Sequence, residues 1–231
     1  MILHYKNIID NKLLDNLVNF IETSTKLEWK DGRLTTGGYL KKVKKNQELS
    51  FDLEINKLAV PIKNHIYNNE QFQNTFGLRL PIETSDMSIV RYKKGDEYPF
   101  HCDSIYSPNN NAINFIMSVV LNDNYKGGEM SVKNYTNVEP VSKFDLKKGD
   151  ALLFAPWVLH KISPVLEGIR YCLIIRGKRF IDFQHTQIFI LLHQLIEKID
   201  HLKIDKKDRY KLKEYISGIN NYCIKEFKDN R

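Results

Sequence analysis

The stretch RYKKGDEYPFHCD, residues 91–103, decides the fold and the chemistry expected of this chain. It reads as the end of a strand. His101 and Asp103 lie two positions apart there and leave the same face of the sheet, because side chains alternate along a strand. A third ligand, His160, must come from a distant strand. Two imidazoles and one carboxylate on one face of a metal ion leave the opposite positions open, as in non-haem Fe(II) sites.

The residues around this stretch form short apolar runs separated by turn signals. They predict strands in SIVRY (88–92), NFIMSVVL (114–121), EMSV (129–132), ALLFA (151–155) and YCLIIRG (171–177). Strands at this spacing indicate an antiparallel double-sheet sandwich or jelly roll. The fold class we expect is therefore mainly β with flanking helices, with a double-stranded β-helix core.

Helical periodicity flanks the predicted core on both sides. Apolar residues recur at helical spacing over residues 8–22 and from Phe51 to Tyr67. The pattern becomes helical again after Phe180, and this tail either covers the sheet or forms the contact of a homodimer. We expect N-terminal helices and a basic loop in 1–86, the core in 87–180 and a helical extension in 181–231.

Composition narrows the class of protein. The chain has 231 residues, three cysteines and a formal net charge of +7. No apolar run is long enough for a membrane span, and scattered cysteines suit a reducing compartment, so we expect a cytoplasmic protein without a membrane partner. The positive charge is spread over many lysines, which favours solvated faces over a nucleic-acid site without excluding one.

Arg170 follows His160 after the turn PVLEG. If the two flanking strands are antiparallel neighbours, Arg170 lies beside His160 and points its guanidinium into the same cavity. A buried arginine is costly unless it meets an anion, and a dicarboxylate such as 2-oxoglutarate fits a site with a metal at one end and an arginine at the other. The alternative for Arg170 alone is a surface salt bridge.

The chain resembles a known family at residues along most of its length. It is similar to the 2-oxoglutarate- and Fe(II)-dependent oxygenases of the prolyl and lysyl hydroxylase group. Within that group, the stretch WKDGRLTTGGYLKKVKKNQEL (29–49) is similar to the N-terminal signature of bacterial PKHD-type hydroxylases. The residues that carry the wider resemblance are Tyr92, Gly95, Tyr98, His101, Asp103, Gly127, Gly128, Glu129, the run KKGDALLF (147–154), His160, Pro164, Val165 and Arg170.

The resemblance implies a role for each candidate residue. It assigns the iron and the catalysis to His101, Asp103 and His160, the distal carboxylate of 2-oxoglutarate to Arg170, and a place beside the co-substrate to Tyr92. The implied cofactors are Fe(II), 2-oxoglutarate and O2, with L-ascorbate as a further candidate. The implied reaction hydroxylates a substrate carbon and releases succinate and CO2.

The sequence leaves the substrate open. The resemblance implies a peptidyl prolyl or lysyl residue or a free amino acid, so a peptide or a small molecule is the expected partner. The loop at 31–45 is either a lid over that substrate or a solvated loop. Two other classes remain, a nucleic-acid oxygenase or demethylase that uses Lys41 to Lys45 against phosphate, and a non-catalytic jelly-roll binding module.

Overall fold

The computed structural model describes residues 2–50, 53–70, 72, 82–107, 110–133 and 141–179, and, further along, residues 195, 199, 205, 208–213 and 216. In chain order, the described elements are β1 (Ile2–Tyr5), α1 (Asn11–Thr23), β2 (Lys30–Asp31), a 3-10 turn (Gly32–Thr35), α2 (Leu40–Val43), β3 (Gln47–Ser50), α3 (Leu53–Tyr67), β4 (Ile82–Lys93), β5 (Tyr98–His101), β6 (Phe115–Val120), β7 (Tyr125–Gly127), β8 (Met130–Val132), β9 (Ser142–Phe144), β10 (Ala151–Phe154), β11 (His160–Ile162) and β12 (Val165–Arg179).

The described strands form two antiparallel sheets. The major sheet has the order β1-β10-β6-β12-β4-β3-β2, with β7 paired to β12, and the minor sheet has the order β5-β11-β8-β9. The prediction of a mainly β protein with antiparallel sheets and N-terminal helices is therefore confirmed.

The central strand β6 shows how the layers are arranged. Its sequence FIMSVV is buried on both faces, so it has a covering layer on each side. Met117 and Val119 pack with the two long helices α1 and α3, whereas Ile116 and Val120 pack with the minor sheet. The even-numbered residues of β6 therefore face the interior between the two sheets.

Helix α1 explains why the N-terminal segment covers the outer face of the major sheet. Asp10 caps it, because its side chain accepts a hydrogen bond from the Lys12 N–H at 2.7 Å. Leu14, Leu17 and Ile21 then recur at helical spacing and are buried against the sheet. The helix predicted over residues 8–22 is confirmed, although it begins at Asn11.

One expectation about strand pairing is wrong. β11, which carries His160, pairs with β5 and β8, whereas β12, which carries Arg170, pairs with β4, β6 and β7. The chain crosses from the minor to the major sheet at Pro164, which has no N–H to continue a hairpin ladder. Arg170 therefore reaches the interior from the sheet opposite His160, and not from the neighbouring strand.

The expected C-terminal helical tail lies largely outside the described residues. Among those that are described, the Tyr210 ring lies 4.2 Å from Lys133 Nζ, next to the end of β8. A dimer contact through this tail remains a prediction. Within the described parts of the chain, no helix is long and apolar enough to cross a membrane.

Candidate metal centre and co-substrate pocket

The three predicted ligands come together on the minor sheet. His160 of β11 lies directly opposite His101 of β5, and Asp103 follows β5 by two residues. The Asp103 carboxylate lies 3.6 Å from the Nε2 atom of each histidine. One ligand atom from each of the three residues lies within 4.8 Å of the others, so the group could hold a metal ion.

Hydrogen bonds orient both imidazoles toward the common centre. His101 Nδ1 lies 2.8 Å from the Pro99 carbonyl oxygen, and His160 Nδ1 lies 2.8 Å from that of Val158. A carbonyl oxygen only accepts, so both Nδ1 atoms carry the proton and both Nε2 atoms present a lone pair. Metal-ligating histidines have this arrangement, and the donor set therefore fits a first-row divalent ion such as Fe(II).

The electrostatics of His160 and Asp103 favour their metal-binding protonation states. Burial, aided by the nearby His101, lowers the pKa of His160 to about 4, which keeps its imidazole neutral near pH 7. Burial would raise the pKa of Asp103, but the facing His160 and His101 outweigh it and hold that pKa below its usual value. A neutral imidazole and an ionised carboxylate are the forms that bind metal.

Access to the three ligands is one-sided. The side chains of His101 and His160 are 2% and 6% exposed, whereas that of Asp103 is 22% exposed. The Tyr98 ring stacks on His101 with centroids 3.5 Å apart, and Phe154 packs on His160 at 4.7 Å. A substrate would therefore approach from the side of Asp103, because aromatic rings cover the imidazoles.

Arg170 lies on the inner face of the major sheet and is 1% exposed. Its Nε atom is buried and has no hydrogen-bond acceptor among the described residues. The Tyr92 ring, opposite it on β4, lies 5.8 Å from the guanidinium carbon. Burial would lower the pKa of Arg170, but Cys172 and the neighbouring tyrosines raise it overall, so it stays charged. A buried cation with an unused donor suits an anionic ligand.

Tyr125 belongs to this arginine site, although the sequence reasoning did not single it out. Burial raises its pKa, and its hydroxyl interacts electrostatically with Arg170. A cavity of about 270 Å³ reaches Arg170 here, with Tyr125, Gly127, Gly128 and Met130 in its lining. The tyrosine two residues before the glycine pair was the available signal, since the glycines bring β7 close to the arginine: a Cβ on Gly128 would lie 2.8 Å from Arg170 Cδ.

The basic segment at 31–45, together with Asn46 directly after it, lies against Tyr98 and Tyr92. Lys44 is 5% exposed and donates hydrogen bonds to Thr35 Oγ1 and to Glu48. Its ammonium lies 4.8 Å from the centre of the Tyr98 ring. Two residues further on, Asn46 donates from Nδ2 to the Tyr92 hydroxyl at 3.3 Å. At least one lysine of the run is thus a buried contact, while Lys41, Lys42 and Lys45 are exposed.

Comparisons with known proteins agree with this geometry. Residues 87–175 match the family model described as the 2OG-Fe(II) oxygenase superfamily. The PKHD-type hydroxylase YbiX of Escherichia coli O6:K15:H31 is 30% identical over 162 residues, which cover 67% of this chain and 69% of that protein.

Solved structures show the same fold at low sequence identity. A 2OG-Fe(II) oxygenase family oxidoreductase from Burkholderia pseudomallei has a TM-score of 0.58 at 14% identity and covers 77% of this chain and 84% of that one. A prolyl hydroxylase from Trichoplax adhaerens, in complex with a hypoxia inducible factor oxygen degradation domain peptide fragment, has a TM-score of 0.55 at 16% identity and covers 76% and 82%.

Proposed function

We infer the substrate class of this chain from its family, since it belongs to the PKHD-type hydroxylases of the 2OG-Fe(II) oxygenase superfamily. It is an oxidoreductase that uses Fe(II), 2-oxoglutarate and O2 to hydroxylate a substrate carbon, with release of succinate and CO2. We propose that the hydroxylated carbon belongs to a peptidyl prolyl or lysyl residue or to a free amino acid.

We assign the iron to His101, Asp103 and His160. The observation that carries this assignment is the pair of Nδ1 hydrogen bonds to backbone carbonyls, which leaves both Nε2 lone pairs directed at the Asp103 carboxylate. When bound there, Fe(II) would couple the decarboxylation of 2-oxoglutarate by O2 to hydroxylation of a substrate carbon.

We assign the distal carboxylate of 2-oxoglutarate to Arg170. Its buried Nε donor supports this role, because it has no acceptor among the described residues and an anion there would accept a charge-assisted hydrogen bond from it. Tyr125 would orient the guanidinium through its hydroxyl, and Tyr92 would form the wall beside it. These contacts would hold the co-substrate in a dry interior, away from bulk water.

The peptide part of the proposal has two supports. The similar Trichoplax prolyl hydroxylase is described in complex with a peptide fragment. In this chain, the more exposed ligand Asp103 and the covering segment at 31–45 leave one open side from which an extended chain could reach the centre. We further propose that residues 87–180 form a double-stranded β-helix core, with 1–86 covering it and 181–231 as a helical extension. The role of L-ascorbate remains a prediction.

The first experiment tests the metal and co-substrate assignments. Anaerobic addition of Fe(II) and 2-oxoglutarate should give a weak visible charge-transfer band in the wild type and none in His160→Ala. His65→Ala is the matched control, because His65 is exposed on α3 and should leave the band unchanged. Identical spectra for wild type and His160→Ala would show that the ligand assignment is wrong.

The second experiment tests the substrate class. Succinate release would be measured with proline- and lysine-containing peptides, free amino acids and oligonucleotides. The proposal expects stimulation by a peptide or an amino acid. Stimulation by oligonucleotides alone would contradict it and would favour a nucleic-acid oxygenase.

A further inference from the structure

A second arginine of β12 faces the same interior as Arg170. Along β12, Cys172 lies opposite Val90 and Val120, and all three belong to the apolar cluster between the two sheets. The register is regular up to Arg176, which lies opposite Asp86 of β4, and the irregularity follows only after it. Since side chains alternate along a strand, Arg176 points to the same side as Cys172.

The hydrogen bonds of Arg176 use only part of its guanidinium. Nη1 donates to Asp86 Oδ2 and to Ser88 Oγ, each at 3.0 Å, which accounts for both hydrogens of that nitrogen. No acceptor is described for Nε and Nη2, and the side chain is 21% exposed. These two nitrogens form one edge of the planar group and donate in parallel, the geometry that binds a carboxylate through two hydrogen bonds.

Arg176 lies at the metal end of the interior, whereas Arg170 serves the other end. Six residues of extended strand separate their backbones by roughly 20 Å. Arg170 interacts with Tyr92, Tyr125 and Cys172. Arg176 instead lies opposite Ile116 of β6, and Ile116 lies opposite Phe154 of β10, whose ring packs on the predicted ligand His160 at 4.7 Å. Arg176 therefore lies at the end of the interior that holds the predicted metal ligands.

We propose that Arg176 binds a carboxylate of the primary substrate through Nε and Nη2, while Asp86 and Ser88 hold the guanidinium in place. This assignment rests on the proposed function and narrows it to substrates that carry a carboxylate near the hydroxylated carbon. Lys41 and Lys42 are exposed on α2, which packs against β5. They add positive potential near the metal centre, since β5 carries His101. The carboxylate is either the α-carboxylate of an amino acid or an acidic side chain in a peptide.

Matched acid and amide probes test the proposal and separate the two sources. The probes are L-proline against L-prolinamide, L-lysine against L-lysinamide, and an acetylated, amidated peptide with Pro-Glu against the same peptide with Pro-Gln. For each pair, kcat/KM from succinate release gives an acid-to-amide ratio. That ratio does not depend on the fraction of folded enzyme, so a partly unfolded variant still reports on the contact.

We expect the wild type to prefer the acid of at least one pair by roughly tenfold or more, the value typical of a charge-assisted two-bond contact. Arg176→Gln should bring the ratio close to one, and Arg176→Lys, which keeps the charge but not the edge, should give an intermediate value. Arg91→Gln is the matched control. Arg91 lies on the adjacent strand β4 but faces the other side of the sheet, where it contacts Trp29 and Gln47, so the ratio should not change.

Binding gives a readout that does not depend on turnover. Anaerobic calorimetry of each probe with the Mn(II)- and 2-oxoglutarate-loaded protein should show the same acid preference, and Arg176→Gln should abolish it. The proposal is overturned if the wild type binds acid and amide equally or binds no acid probe. It is also overturned if Arg176→Gln still prefers the acid over the amide. Absence of the Fe(II) charge-transfer band in the wild type would instead overturn the proposed function.

Discussion

Replacing Gly128 by alanine would test the role of Arg170 without touching the arginine itself. Gly128 has a φ of +68°, and an added Cβ would lie 2.8 Å from Arg170 Cδ and 3.0 Å from Val165 Cγ2. Arg170 Cδ must then retreat by about 0.7 Å to regain the separation at which carbon atoms attract each other. That shift moves a guanidinium whose position is otherwise fixed by burial.

Gly95→Ala provides the matched control. Gly95 also has a positive φ, +86°, but an added Cβ would meet nothing within 4 Å. Both variants should lose about 1 to 2 kcal/mol of unfolding free energy to the left-handed backbone, and Gly128→Ala should lose about 1 to 3 kcal/mol more to crowding. The difference in unfolding free energy between the two variants thus separates crowding at Arg170 and Val165 from the strain of the left-handed backbone.

The assay is the KM for 2-oxoglutarate, measured by succinate release, together with urea unfolding of both variants. Loss of a two-bond contact to a carboxylate costs about 1.5 to 3 kcal/mol. We therefore expect the KM of Gly128→Ala to rise roughly tenfold or more, and that of Gly95→Ala to stay within about twofold. If the two variants show the same KM, Arg170 is not the residue that binds the co-substrate.

Three further predictions concern the other parts of the site. Lys44→Met leaves Glu48 as an unpaired, largely buried charge and should lower the unfolding free energy by about 3 kcal/mol in urea. Lys45 is exposed, so Lys45→Met should lower it by less than about 0.5 kcal/mol. Equal losses for the two variants would contradict the buried ion pair. Tyr125→Phe removes the hydroxyl that interacts with Arg170 and should raise the KM for 2-oxoglutarate about fivefold with little change in kcat. An unchanged KM would show that the Tyr125 hydroxyl does not position the arginine. His160 has a folded pKa of about 4, below its unfolded value, so the unfolded chain binds more protons between these pKa values. The unfolding free energy of the metal-free protein should therefore fall by up to about 3 kcal/mol as the pH falls from 6.5 to 4. His160→Asn should show a flatter pH profile in urea titrations, and equal slopes for the two proteins would contradict the prediction.

The convergence of the three candidate ligands could be predicted from the sequence, because it depends on residue type and on the alternation of one strand. His101 and Asp103 share a face by their spacing alone, and the structure places both beside His160. The pairing of Arg170 could not be predicted in this way. The turn PVLEG looks like a hairpin connection, and nothing local shows that the chain crosses to the opposite sheet at Pro164.

Residues whose roles depend on tertiary contacts could not be identified from the sequence either. Lys44 stands in a run of lysines that reads as a solvated face, yet it is buried against Glu48 and Tyr98. Arg176 looks like an ordinary strand residue until the register places Asp86 opposite it, and Tyr125 until the fold brings it beside Arg170. Periodicity gives the face of a strand that a residue occupies, but not the partner it meets there.

The position of β5 at the edge of the minor sheet has a consequence for assembly. Among the described strands, β5 pairs only with β11, through a short and irregular ladder. Two of the three ligands belong to this edge strand or follow it directly, and the third belongs to its neighbour. A metal ion bound there would link β5 to β11, so metal binding and stable pairing of the edge strand would be coupled. In protein made under iron starvation, the pairing of β5 at the edge of the minor sheet would then be weaker, next to the candidate metal centre.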